Sequence, residues 1–302
     1  MSIAPATAHA LQRLRTYASF VRLEHTLFSL PLILAGIFSA RGPSLRPGRW
    51  ALIAVAAVAA RTAAMALNRL IDRRIDALNP RTQVRELPSG RMKGIEALVL
   101  LSASTAAYLI ACASLGPWFL RVSIVPLAVF TLYPYLKRFT PFCHFGVGAA
   151  LALAPLAGFA AAHPGLEDWR PALALSLFAF FWVSGFDIIY ATLDDEFDRR
   201  HGIHSLVAWL GRVRALRVSW ALHLLGALLL GVTALLLLGA APARAAPWTI
   251  VTGLLFGAVF ALLYLEQRWA ENVNLAFFKT NVWVGFVVLA LVLAARLAAG
   301  GL

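Results

Sequence analysis

Charged side chains are scarce in this sequence. Only 14% of its 302 residues are Asp, Glu, Lys or Arg, whereas a soluble domain carries about 25%. The sequence also lacks linkers, low-complexity segments and the alternation of polar and apolar residues that is typical of strands. These absences argue against a soluble globular protein and a sheet-based fold, and they predict a single domain over residues 1–302.

Cysteine is also rare. The two cysteines, Cys112 and Cys143, fall in apolar stretches and lack the spacing of metal ligands. The pattern disfavours both a disulfide and a thiolate metal site. We expect both residues to be small, buried, apolar side chains.

Hydrophobic residues make up 61% of the chain and are gathered into long runs. A helix needs roughly 20 apolar residues to cross a hydrocarbon layer of ~30 Å. Such runs predict spans at residues 23–41, 50–71, 95–115, 119–136, 142–162, 171–193, 214–238, 247–265 and 277–299. The predicted fold class is therefore all-α, a multi-pass transmembrane helical bundle of about nine helices in a lipid bilayer.

The net charge of +13 could indicate nucleic acid, but the basic residues are distributed differently. Most of them lie at the N-terminus and in the loops after the second, fourth, sixth and eighth spans. This positive-inside bias predicts a protein of the cell (inner) membrane with a cytoplasmic N-terminus and charged loops, and no nucleic-acid partner. Residues 1–22 are predicted to form an amphipathic surface segment, with a helix from Ala8 to Arg22. The oligomeric state stays open.

Half of the 14 acidic residues lie in two short segments. Asp72 and Asp76 are four residues apart, as are Asp194 and Asp198, so each pair shares one helix face. Like charges at this spacing repel each other. A Mg²⁺ ion with a phosphorylated ligand would compensate them, and Asn68 adds an oxygen one turn earlier. The alternative is a solvated loop in which the aspartates pair with neighbouring arginines.

Basic and phenolic side chains near these segments are candidate ligands of a diphosphate. They are Arg69, within the first acidic segment, and Tyr133, Lys137 and Arg138, at the end of the fourth span. Positive-inside charge beside an interfacial aromatic residue is the alternative for the latter group.

Two further arginines are candidate substrate ligands. Arg61 lies mid-span, on the face of Asp72 and roughly 16 Å from it along the helix. It could pair with Asp187 or with a substrate carboxylate, or form a purely structural pair. Arg22 ends the amphipathic segment, where interface anchoring is the alternative to ligand contact.

Three motifs resemble those of the UbiA-type superfamily of intramembrane aromatic prenyltransferases. They are Asn68–Asp76 with its continuation to Gly90, Asp187–Asp198, and Tyr133–Thr140. The pattern is most similar to the 4-hydroxybenzoate polyprenyltransferase group. Many members have Arg-Pro-Leu-Pro where this chain has Glu86 in second place. That Glu, with His25–Pro31 and Asn274–Phe278, resembles the branch associated with the futalosine route to menaquinone.

The resemblance implies an enzyme that uses Mg²⁺ to transfer a polyprenyl group from polyprenyl diphosphate to an aromatic phenolic acid, in ubiquinone or menaquinone biosynthesis. The implied metal ligands are Asn68, Asp72, Asp194 and Asp198, with Asp76 in support. The implied diphosphate ligands are Tyr133 and Lys137, with Arg69 and Arg138. The acceptor is 4-hydroxybenzoate or a dihydroxynaphthoate, and the prenyl chain length is open.

The helical spacing of 187, 190, 194 and 198 predicts that Asp187 and Tyr190 share the acidic face of the sixth span. We assign Asp187 to positioning the acceptor or to taking its proton, and we group Tyr190 with it as a catalytic candidate. Two other functions stay open: a transferase that acts on a different acceptor, and an ion-coupled transporter whose paired aspartates bind the coupling ion.

Overall fold

The structure is a computed structural model that describes residues 5–22, 26–40, 42, 45–239, 246–270 and 280–301. Every regular element in these ranges is a helix. The helices are α1 (Pro5–Phe20), α2 (Thr26–Ile37), α3 (Pro47–Leu78), α4 (Gly94–Leu115), α5 (Pro117–Val122), α6 (Ile124–Leu136), α7 (Cys143–Ala162), α8 (Arg170–Ala191), α9 (Asp195–His201), α10 (Leu206–Leu210), α11 (Arg212–Leu238), α12 (Ala246–Arg268) and α13 (Asn281–Ala298).

Within the described residues, eight helical segments are long and apolar enough to cross a membrane. They are α3, α4, α5 with α6, α7, α8, α11, α12 and α13. The all-α multi-pass fold is therefore confirmed. The first predicted span, 23–41, coincides with α2, which has 12 residues and carries Pro31 inside it. Residues 23–25, 41 and 277–279 of the predicted spans lie outside the described residues, as does the segment Asn274–Phe278.

The chain forms two compact units. The first comprises Met1–Thr26 and Ala51–Pro134, and the second comprises Leu27–Trp50 and Tyr135–Leu302. The assignment of residues 1–302 to one functional domain stays a prediction.

In the first unit, the N-terminal helix α1 is anchored at its C-terminal end. Phe20 is fully buried in a cluster with Ala66, Met92 and Ala97. The hydroxyl of Ser19 donates a hydrogen bond of 2.6 Å to Glu86. The predicted amphipathic segment is thus a helix held by one large apolar side chain and one polar contact.

In the second unit, α8 lies at the centre of the core. Trp182 and Phe178 of α8 are fully buried, together with Leu230 of α11 and Val288 of α13. In the most apolar stretch of α8, 72% of the residues are buried, whereas 17% are buried in that of α12. A helix that is enclosed in this way can carry polar side chains on its last turns without exposing them to lipid.

Candidate active site

The first acidic segment forms the last turns of α3. This helix has 32 residues and is therefore roughly 48 Å long, more than a ~30 Å hydrocarbon layer requires. Asn68 donates a hydrogen bond of 3.3 Å from Nδ2 to Oδ2 of Asp72, one turn further on. The Asp72 side chain is buried within the unit. The structure thus confirms that Asn68 and Asp72 share a face.

The turn after α3 closes back on the helix. Asn79 Oδ1 accepts a hydrogen bond of 2.9 Å from the Arg81 amide, and Pro80 prevents the helix from continuing. Thr82 Oγ1 donates 3.0 Å to the carbonyl of Asp76. These bonds satisfy backbone groups that the helix end leaves open and fix the loop that follows.

Asp76 is held by arginines. Arg85 Nη1 donates to Oδ1 and Oδ2 of Asp76 at 2.8 and 2.9 Å. Arg69 Nη1 lies 4.0 Å from Asp76 Oδ2. Asp76 is therefore engaged by Arg85, and its part in metal binding stays a prediction.

Arg69 is a buried cation with spare donors. Its side chain is 4% exposed, and its Nε and Nη1 have no hydrogen-bond partner within the described chain. The positive charges of Arg85 and Arg22 act on it, and Arg22 lies two residues after the end of α1. Burial of a guanidinium whose N–H groups have no hydrogen-bond acceptor costs folding free energy, unless an anion accepts hydrogen bonds from them. The surroundings of Arg69 therefore suit an anionic ligand.

The second acidic segment begins a new helix. α8 ends at Ala191, Asp194 is the N-cap of α9, and the Asp198 amide donates 2.8 Å to the Asp194 carbonyl. Asp194 and Asp198 are thus one turn apart, as predicted. The prediction of one continuous helical face from 187 to 198 was wrong. Thr192 Oγ1 bonds the Ile189 carbonyl at 2.7 Å, and acidic residues favour the start of a helix over its interior.

Burial, followed by the negative charge of Asp194, raises the pKa of Asp198 to about 6. Lys137 opposes that shift with its positive charge, and Ser205 does so with a hydrogen bond. Asp195, by contrast, pairs with Arg199 at 2.7 Å on an outward face of α9. This segment therefore holds a buried carboxylate, Asp198, next to a cation, and a half-buried carboxylate, Asp195, with a local partner.

The end of α6 brings Tyr133 into its last turn and Lys137 just beyond it. The Lys137 carbonyl accepts a hydrogen bond of 2.7 Å from the His204 amide, which ties this end to the loop between α9 and α10. The Arg138 guanidinium is exposed and lies over the Tyr135 ring, 4.9 Å from its centroid. The structure thus brings Lys137 close to Asp198, whereas Arg138 turns to an aromatic neighbour.

Asp187 has a partner that the sequence did not indicate. Its Oδ2 lies 2.6 Å from Nδ1 of His144, at the start of α7. The only available signal was a histidine beside Cys143 at the edge of an apolar run. Tyr190 is half-buried on the last turn of α8, and Arg61 is half-buried within α3. The pairing of Arg61 with Asp187 or with a substrate stays a prediction.

Carboxylates suited to a hard cation are thus present in both units. Asp72 lies in the first unit, and Asp194 and Asp198 lie in the second. In the part of the chain that the structure describes, no three Asp, Glu, His or Cys side chains are grouped as a metal site. Mg²⁺ is commonly held by one or two carboxylates plus phosphate oxygens of a substrate, so carboxylate pairs fit it.

Two curated relatives are similar in sequence to this chain. The mitochondrial 4-hydroxybenzoate polyprenyltransferase of Saccharomyces cerevisiae is 32% identical over 212 residues, which cover 66% of this chain and 56% of the relative. The chain thus spans little more than half the length of that protein. The 4-hydroxybenzoate octaprenyltransferase of Burkholderia ambifaria is 29% identical over 297 residues, covering 96% of this chain and 98% of the relative.

Solved structures share the fold. The apo UbiA homolog from Aeropyrum pernix matches with a TM-score of 0.73 at 33% identity, covering 89% of this chain and 97% of that one. A UbiA homolog from Archaeoglobus fulgidus bound to GPP and Mg²⁺ matches with a TM-score of 0.71 at 19% identity, covering 94% and 99%. The model of the UbiA prenyltransferase family matches residues 29–284. The chain belongs to the UbiA prenyltransferase family.

Proposed function

We propose that this protein transfers a polyprenyl group from a polyprenyl diphosphate to the ring of an aromatic phenolic acid, with 4-hydroxybenzoate as the leading acceptor. The observation that carries the proposal is the pairing of buried carboxylates with nearby cations in both units. Asp72 lies one turn from the buried Arg69, and Asp198 lies within the electrostatic reach of Lys137. This combination suits a metal-bound diphosphate.

Each donor pair fits Mg²⁺. Asp72 with Asn68 is one pair that would hold an ion through carboxylate and amide oxygens, and Asp194 with Asp198 is a second pair with carboxylate oxygens. The Archaeoglobus homolog is described as bound to GPP and Mg²⁺. When bound, Mg²⁺ supplies Lewis-acid stabilisation of the leaving diphosphate. We propose that the loops after α3 and α9 face the cytoplasm, because the basic residues of the sequence follow the positive-inside pattern.

The chain's own residues orient the substrates. Arg69, Tyr133 and Lys137 would bind diphosphate oxygens, with Arg138 and Arg22 as further candidates. In the transfer, the prenyl C1–O bond breaks with its electron pair on the diphosphate. A C–C bond forms to the ring carbon beside the hydroxyl, and that ring carbon releases its hydrogen as a proton. Apolar helices exclude water, which protects the allylic cation from hydrolysis.

Two acceptors are candidates, and the curated relatives favour one of them. The relative matched over 98% of its length is named for 4-hydroxybenzoate. Glu86, which suggested a dihydroxynaphthoate, is 3% exposed and accepts the hydrogen bond from Ser19 on α1. Its contacts support a structural role in anchoring α1, so we rank 4-hydroxybenzoate first and keep dihydroxynaphthoate as the second candidate.

The test is a transfer assay with purified protein in lipid nanodiscs, Mg²⁺ and a radiolabelled polyprenyl diphosphate, with each acid offered separately. We expect an organic-extractable adduct that requires Mg²⁺. Asp195→Asn is a matched control for Asp194→Asn, because Asp195 is a neighbouring carboxylate that pairs with Arg199. Failure of both acids to form an adduct would contradict the proposal, and ion-stimulated uptake without a covalent product would favour a transporter.

A further inference from the structure

The contact between His144 and Asp187 joins a buried group to an accessible one. The His144 side chain is 2% exposed, whereas the Asp187 side chain is 24% exposed. A ligand can therefore reach the carboxylate but not the imidazole. The separation of 2.6 Å between Nδ1 and Oδ2 is that of a strong, charge-assisted hydrogen bond.

The other ring nitrogen determines which atom carries the hydrogen. The Leu206 amide donates to Nε2 of His144 at 3.3 Å. An acceptor nitrogen has a free lone pair, so the hydrogen of the neutral ring must be on Nδ1. His144 thus donates through Nδ1–H, and the Asp187 carboxylate accepts. Two contacts from separate elements, α8 and the start of α10, fix one tautomer.

Close packing of α7 against α8 brings these two side chains together. A Cβ at Gly148, one turn after His144, would collide with Ser184 Oγ and the Phe180 carbonyl. Ser184 lies nearly one turn before Asp187 and donates 2.7 Å to the same Phe180 carbonyl. The bare backbone at Gly148 therefore permits the helix approach that the hydrogen bond requires. The arrangement is built into the helix packing.

We infer that His144 is a positioning residue, which holds the Asp187 carboxylate in the orientation that accepts the phenolic hydrogen of the acceptor. This inference rests on the proposed function. The Asp187 carboxylate repels the carboxylate of a phenolic acid, so the hydroxyl end of the acceptor faces it. His144 does not touch the substrate in this role. It acts through Asp187.

Protons and electrons are conserved in the prenyl transfer. Asp187 takes the phenolic proton, and the phenolate carbon beside the oxygen bonds to the prenyl C1 as the C1–O bond breaks with its electrons on the diphosphate. The ring hydrogen at the new bond then leaves as a proton, which the diphosphate or water accepts. Asp187 returns its own proton to the ring oxygen. No oxidant or reductant is needed.

Three variants of His144 test the inference. Asparagine can place its amide near the Nδ1 position and keep a donor to Asp187, whereas glutamine places its amide nearer to Nε2 and alanine has none. We expect His144→Ala and His144→Gln to lower kcat/KM for the acceptor about 100-fold, since misplacement of a reacting group by ~1 Å has an effect of that size. His144→Asn should retain activity within about 10-fold. The KM for the diphosphate should change less than about 2-fold in all three.

A double-variant cycle separates positioning from general damage to the fold. In an Asp187→Asn background, His144→Ala should cause no further loss, because the group that His144 positions is already gone. An additional loss comparable to that in the wild-type background would overturn the inference. Equal losses for both substrates in His144→Ala, or wild-type kinetics, would also overturn it.

A measurement without turnover keeps the inference separate from the proposed function. In protein with ¹⁵N-labelled histidine, the signal that disappears in His144→Asn should have the shift of a neutral ring protonated at Nδ1. An Nε2–H tautomer or a doubly protonated ring would refute the assignment. If the Nδ1–H signal is found but neither acid is prenylated, the proposed function fails while the hydrogen-bond geometry stands.

Discussion

Arg85 binds both carboxylate oxygens of Asp76 through one guanidinium nitrogen, at 2.8 and 2.9 Å. The pair links the last turn of α3 to the loop that follows it, and the Asp76 side chain is only 6% exposed. This relationship distinguishes Asp76 from Asp72, which bonds Asn68 instead. Two aspartates at helical spacing thus have different partners.

Arg85→Ala should destabilise the protein, because it leaves the buried Asp76 carboxylate without its main partner. Breaking a buried pair of this kind costs about 3 kcal/mol. A thermal unfolding scan in detergent should show a lower transition temperature. Arg91→Ala is the control, since Arg91 is 54% exposed and lies 3.7 Å from Glu86; a comparable loss there would contradict the account.

Asp72→Asn and Asp194→Asn should each lower prenyl transfer by at least about 100-fold at saturating Mg²⁺, a loss typical of removing one group that stabilises transition-state charge. Asp195→Asn should stay within about 2-fold of wild type, because its carboxylate pairs with Arg199 on an outward face. The rate of adduct formation is the measurement. Near-full activity in Asp72→Asn would rule out its role as a ligand.

Mg²⁺ binding should weaken as the pH falls through about 6. The pKa of Asp198 is raised to about 6 from its usual 3.8, so below pH 6 a proton occupies the carboxylate that we propose as a metal ligand. The same shift means that, without metal, Asp198 favours the folded state increasingly as the pH falls from about 6 towards 4.

Calorimetric titration with Mg²⁺ between pH 5 and 7.5 checks this dependence. The wild type should release protons on binding near pH 6 and lose affinity below it. Asp198→Asn should bind more weakly and show a flatter pH profile. Unchanged affinity across the range in the wild type would contradict the assignment of Asp198 as a ligand.

Glu86→Pro should loosen α1 but leave the preference between acceptors unchanged. The substitution removes the carboxylate that accepts the Ser19 hydrogen bond, whereas Phe20 remains in its cluster. Hydrogen exchange in residues 11–22 should become faster, and the ratio of products from the two acids should stay the same. A reversal of that ratio would show that Glu86 selects the acceptor.

The membrane helices could be predicted from hydropathy because lipid imposes one dominant requirement, about 20 apolar residues for each crossing. The prediction was wrong about the end of a helix, which lies beyond the lipid layer. The second span was predicted at 50–71, whereas α3 continues to Leu78, since Arg, Ile, Asp and Ala extend a helix beyond the apolar layer until Pro80 prevents it. Hydropathy identifies the part of a helix that lies in lipid, whereas the residue at which a helix ends depends on local hydrogen bonds.

The site was predicted from spacing only where spacing is sufficient. Asn68 and Asp72 share a face because one helix carries both. The contact between His144 and Asp187 depends instead on how closely α7 approaches α8. Gly148 permits this approach, because a Cβ at this position would collide with α8. The break between α8 and α9 occurs where Thr192 Oγ1 donates a hydrogen bond to the Ile189 carbonyl. Contacts between elements of this kind leave no periodic signal in a single sequence.

The most direct test of the account is mass spectrometry of the products formed when both acids are offered together with a polyprenyl diphosphate and Mg²⁺. We expect an ion with the mass of one acid plus the prenyl group minus one hydrogen, with 4-hydroxybenzoate as the preferred acceptor. This ion should be absent when Mg²⁺ is chelated. Recovery of intact diphosphate and both unmodified acids, from protein that still binds Mg²⁺, would contradict it.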